Sequence, residues 1–207
     1  MLKIQFLHIP KNGGTSIKKT RNPSILFRGH GYCKGEGHLD DFIILRDPFT
    51  RFESAFYMRF SDPATQVQAL DWSKKTGVST PGEFIDWKLD NPDEVNIIEN
   101  NVGHSEHKLR NSDNLGKNYF MMPQSLWHNN PDNVLLFENL SSEYSDLVKS
   151  YQMHFVPIGH RNKGMGRRAQ MLTKEQEAWV RSEYHDDFVL WTHYSNQPIS
   201  SRLRRNG

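Results

Sequence analysis

A single cysteine, Cys33, in a chain of 207 residues leaves no partner for an intrachain disulfide and no thiolate set for a multi-cysteine metal site. Long apolar runs are missing too: no stretch is long enough to span a membrane, and none has the make-up of a signal-peptide core. Excess charge of one sign is also absent. The net charge is only +2, which argues against a general electrostatic affinity for nucleic acid or a membrane surface. Hydrophobic residues make up 36% of the chain and mean hydropathy is -0.74, so large polar loops are expected. Aromatics are plentiful at 12%, which argues against global disorder. The length suits one domain, residues 1–207, in a soluble protein of a reducing compartment such as the cytoplasm.

What is present is concentrated at the start. The segment FLHIPKNGGTS joins a short apolar run (Ile4, Phe6, Leu7, Ile9) to Gly13-Gly14 and then to Thr15 and Ser16, after which apolar residues resume at helical pace. This is the pattern of a buried strand, a tight glycine turn and a helix N-terminus. Such a turn aims backbone N–H groups and the positive helix end at one point, which favours an anion. Lys11 and the two hydroxyls add donors. The loop is not a Walker A loop, because GxxxxGK[ST] carries its lysine after the glycines, beside the hydroxyl that binds magnesium.

Further along, a short helix is expected from residue 16 to 20, ended by Asn22-Pro23, and a strand at 24–27. The run Phe42-Ile43-Ile44-Leu45 reads as a buried parallel strand, followed by the turn Arg46-Asp47-Pro48 and a helix at 50–60 with Phe52, Phe56 and Phe60 on one face. Residues 61–118 form a polar insertion or lid with two or more short helices, one at 82–89. A strand is expected at 133–137, a helix to 150, a weak strand or extended segment at 155–158, and a helix at 173–184 with a Thr173/Gln176 capping box. Basic residues cluster at 161–168 and 202–205. Strands alternating with helices indicate an α/β three-layer fold with a mainly parallel sheet.

Two segments resemble one family. FLHIPKNGGTSI is similar to the 5′-phosphosulfate loop, and FIILRDPFTRFESAFY to the 3′-phosphate segment, of sulfotransferases that use 3′-phosphoadenosine 5′-phosphosulfate (PAPS), with the carbohydrate enzymes the nearest pattern. MMPQSLW, VLLFENL and SEYHDDFVLWTHY resemble later segments of the same family in the same order. The resemblance implies the P-loop-like sulfotransferase fold and sulfuryl transfer from PAPS to an acceptor hydroxyl, most readily on a carbohydrate, with adenosine 3′,5′-bisphosphate as product and no metal. It implies Lys11 as the catalytic cation at the leaving phosphate, with Asn12, Gly13, Gly14, Thr15 and Ser16 around the 5′-phosphate. Arg46 and Ser54 match the positions that grip the 3′-phosphate, and Arg51 either joins them or serves the fold through a buried carboxylate. Arg161 and Lys163 lie where the family carries a cofactor-closing loop, with Arg167 and Arg168 as alternatives.

The general base is expected between the two motifs, where His30 leads, with His38 and Glu36 as alternatives. His8 reads as structural. His104 and His107 lack a clear third metal ligand. Gln124 and Ser125 fit either an acceptor pocket or a structural turn. Golgi members of the family carry an N-terminal anchor not seen here, so a bacterial, viral or trimmed form is implied. Two rival functions stay open: a P-loop-like nucleotide kinase, and a non-catalytic module that binds PAPS or a glycan.

Overall fold

The computed structural model describes residues 3–27, 39–61, 66–94, 121–128, 130–159 and 172–204. Within these, four strands form one all-parallel sheet: β1 (Ile4–Phe6), β2 (Ile25–Phe27), β3 (Asp40–Leu45) and β4 (Asn133–Leu136). Their spatial order is β2-β1-β3-β4. Phe6 pairs with Phe42 across β1 and β3, and Leu45 pairs with Leu136 across β3 and β4.

The helices are α1 (Gly14–Thr20), α2 (Pro48–Ser61), α3 (Gln66–Thr76), α4 (Pro81–Asp90), α5 (Leu140–Ser150), α6 (Lys174–Glu183), α7 (His185–Ser195) and α8 (Ile199–Arg202). Successive residues of β3 point to opposite faces, so Phe42 and Ile44 enter one apolar core while Ile43 and Leu45 enter the other. The first core also takes Ile17 of α1 and Tyr144, Leu147 and Val148 of α5. The second takes Phe52 and Phe56 of α2, Phe84 and Ile85 of α4, and Val180 of α6. Helices therefore cover both faces, as buried parallel strands demand.

Local signals account for most boundaries. The Thr80/Glu83 and Thr173/Gln176 capping boxes start α4 and α6. Helix α2 begins at Pro48, two residues before the expected start, because Asp47 accepts the Thr50 N–H at 2.9 Å and proline is well suited to a first helical position. Ser54 consequently lies in its second turn. Of the two forms expected for residues 155–158, a weak strand or an extended segment, the strand is not found; Asn22 Nδ2 donates to the neighbouring His154 carbonyl at 3.0 Å, and Ile158 packs on the α1/α5 core. Pro157, which has no N–H to give a ladder, fits that placement.

The basic C-terminal stretch has a structural explanation. Buried Arg202 of α8 forks onto Glu143 of α5, with Nη1–Oε2 at 2.9 Å and Nη2–Oε1 at 2.7 Å, while Glu143 also accepts the Leu136 N–H. Arg204 pairs with Asp40 and Asp132. No helix among the described residues is long and apolar enough to cross a membrane.

Candidate functional site

The strand order creates a crevice. From β1 the chain crosses through α1 to β2 on one side, and then resumes at β3 on the other. The loops leaving β1 and β3 therefore diverge over opposite faces, and such a switch point at the carboxyl ends is where open α/β sheets bind ligands. Lys11 leaves from one of these strands and Arg46 from the other.

The β1 loop has a geometry that only its own residues allow. Gly13 has φ +84, and a Cβ there would press on Leu140 and Phe137 at 3.0–3.2 Å. Gly14 is needed for a different reason: a Cβ would fall inside the His8 ring, which stacks near Phe6 and Phe27 with centroids 5.7 and 5.4 Å away. The Asn12 amide donates to the Ile9 carbonyl and the Ser16 amide to the Gly13 carbonyl. Among the described residues, the amides of Gly13, Gly14 and Thr15 and the hydroxyls of Thr15 and Ser16 have no hydrogen-bond partner.

Lys11 itself is strained and short of counter-charge. Its φ of 68 is a left-handed conformation that non-glycine residues rarely adopt. Its ammonium has no hydrogen-bond or ion-pair partner among the described residues. Burial, and then the charges of Arg46 and Arg51, bring its pKa down from 10.5 to about 8.

Arg46 is aimed by several contacts. Its Nε donates to Thr50 Oγ1 at 3.1 Å, its Nη1 donates to the Lys11 carbonyl at 3.0 Å, and its guanidinium lies 4.4 Å over the Phe137 ring. Its Nη2 has no partner among the described residues. Ser54 is half-buried on the face of α2 that carries Thr50, one turn on, and its hydroxyl likewise has no partner there. Glu138, just past β4, accepts the Asp47 N–H at 2.8 Å and is the leading charge that offsets the burial of Arg46.

Other sequence candidates belong to the scaffold. Asn12 is fully buried; its Nδ2 donates to the Ile44 carbonyl and to Gln124 Oε1, both at 2.7 Å. Arg51 is 1% exposed, donates to the Met122 carbonyl at 2.7 Å and faces Asp187 at 3.9 Å, so it takes the buried-carboxylate role. Asp187 accepts the amides of Gln124 and Ser125, both at 2.8 Å, and Tyr184 Oη donates to the Met121 carbonyl. His8 is held against the glycines.

His30, Glu36, His38, His104, His107, Arg161, Lys163, Arg167 and Arg168 lie outside the described residues. Among the described residues, no group of three or more His, Cys, Asp or Glu side chains could hold a metal. Sequence reasoning missed Phe137 and Glu138 as Arg46's setting; their signal was their place directly after the last strand, at the same sheet edge. Comparisons with protein-family models, with curated proteins and with solved structures found no match to this chain.

Proposed function

We propose that the protein is a PAPS-dependent sulfotransferase acting on an acceptor hydroxyl, with a carbohydrate as the favoured acceptor class. The observation that carries this reading is Lys11, a partly buried cation at the switch point, beside Arg46 and with no carboxylate against it among the described residues. Lys11 in this state calls for an anion, Arg46 keeps a free Nη2 among the described residues even with the Glu138 charge nearby, and the order of sequence segments that resemble the sulfotransferases favours PAPS as that anion. The donor set fits PAPS: cations, hydroxyls and free amides, with two strand ends to meet two phosphate groups.

When bound, PAPS would supply an activated sulfuryl group whose transfer leaves negative charge on the 5′-phosphate. The chain's residues would act by position and charge. Lys11 donates a hydrogen bond to the leaving phosphate oxygen and neutralises the charge developing there. The amides of Gly13, Gly14 and Thr15, with the Thr15 and Ser16 hydroxyls, hold the 5′-phosphate. Arg46, whose planar fork suits phosphate oxygens, holds the 3′-phosphate with Ser54. His30 is proposed as the base that takes the acceptor proton, with His38 and Glu36 as alternatives, and Arg161 and Lys163 as covering cations.

Incubation with sulfur-labelled PAPS and a panel of glycans, tyrosyl peptides and small phenols tests this. Label transfer is expected, favouring glycans. Saturable binding of adenosine 3′,5′-bisphosphate with no transfer to any acceptor would instead identify a binding module. Preferential magnesium-dependent binding of ATP would identify a kinase-like protein.

A further inference from the structure

The PQS segment has a role that neither an acceptor pocket nor a simple turn describes. Gln124 has no exposed surface. Its Oε1 accepts from Asn12 Nδ2 at 2.7 Å and from the Arg46 N–H at 3.1 Å, and its Nε2 donates to the Arg46 carbonyl at 2.8 Å. One side-chain amide thus grips the loop after β1 and both backbone groups of the residue after β3. Glutamine alone among the side chains combines this reach with an acceptor and a donor on one rigid plane. The grip is itself anchored, because Asp187 accepts the Gln124 and Ser125 amides and faces Arg51. Asn12 completes the tie by also holding the Ile44 carbonyl.

We infer that Gln124 is a positioning residue that locks the Lys11 loop and the Arg46 loop into one register, and so sets the spacing at which the site meets the two phosphate ends of its nucleotide. The nucleotide rests on the sulfotransferase reading; the lock does not. Gln124 never meets the ligand in this scheme. It acts through Arg46 and the Lys11 loop, as outer-shell partners orient the groups that do the binding.

The test pairs Gln124→Met, which keeps volume and removes all three bonds, with Arg46→Ala and with the double variant. Affinity for adenosine 3′,5′-bisphosphate is expected to fall about 10- to 100-fold in Gln124→Met, yet by less than about 3-fold further when added to Arg46→Ala. Equal losses in both backgrounds would overturn the positioning role. A ligand-free readout keeps the lock testable if the unaltered protein binds no bisphosphate nucleotide, an outcome that would count against the sulfotransferase reading alone. In NMR titrations of lysine side chains, release of Arg46 is expected to move the Lys11 midpoint up from about 8 by about half a pH unit or more. An unmoved midpoint would overturn the lock.

Tyr151→Phe serves as the structural control, since Tyr151 bonds Asp40 and Asn133 at the opposite edge of the sheet. It should lower stability without moving the Lys11 midpoint. If Gln124→Met does not fold, Gln124→Glu, which keeps the acceptor and loses the donor, should show the same non-additivity with Arg46→Ala. Additive losses there would also reject the inference.

Discussion

Lys11 combines two unfavourable features in one residue: a left-handed backbone and a cation drawn out of water beside two arginines. Each destabilises the ligand-free protein, and strain of this kind persists where function needs it. Lys11→Gly relieves both. We expect it to raise stability in urea denaturation by about 1–2 kcal/mol while lowering sulfuryl transfer at least about 100-fold. A protein no more stable than the original would show that Lys11 is unstrained.

The sign of the pH effect follows from the same residue. With a folded pKa of about 8 against the ordinary lysine value of 10.5, the unfolded chain holds the extra proton between those values, so the Lys11 penalty is full below pH 8 and is relieved as pH rises through that window. Anion binding runs the other way. It needs the ammonium, so affinity for adenosine 3′,5′-bisphosphate should weaken above pH 8, a trend that calorimetric titration from pH 6.5 to 9.5 would read. At Gly14 the constraint is steric: Gly14→Ala should be strongly destabilising, and part of the loss should return when His8 is also shortened to alanine.

Among the elements, the start of α7 and the 3₁₀ turn Gln124–Trp127 form a buried joint through Asp187. Asp187→Ala removes the acceptor for two amides and the carboxylate facing buried Arg51. The loss should be about 3 kcal/mol or more in equilibrium unfolding, and a loss near zero would mean the joint is not structural. Helix α6 is legible in the sequence because its Thr173/Gln176 capping box is a local code in which four residues carry the whole instruction. Residues 155–158 suit a strand by their apolar Phe155, Val156 and Ile158, yet they join none; the segment is tied instead through the Asn22 to His154 contact, which spans 132 positions and has no local signal. Helix α7 merges in sequence with α6; only Tyr184, committed to the Met121 carbonyl, separates them.

At the scale of the whole molecule, the α/β alternation and the parallel sheet could be read from the chain, since the apolar runs of β1 and β3 each end in a polar turn before a helical pattern. The lock could not, because Asn12 and Gln124 are 112 positions apart and only the sheet order brings them together. Nor could the destination of the C-terminal arginines, where Arg202 closes α8 onto Glu143 and β4. Arg202→Ala leaves Glu143 buried without its counter-charge and should destabilise the fold by about 3–5 kcal/mol, as a lowered urea midpoint would report. Under the proposed function, the loops after β1 and β3 hold the two phosphate groups of a single nucleotide. Equilibrium titration with adenosine 3′,5′-bisphosphate in magnesium-free buffer, beside adenosine 5′-monophosphate, tests it most directly. Saturable binding is expected, weakened at least about 10-fold when the 3′-phosphate is absent, and by a similar factor in Arg46→Ala. Equal affinity for the two nucleotides, or no binding of either, would contradict it.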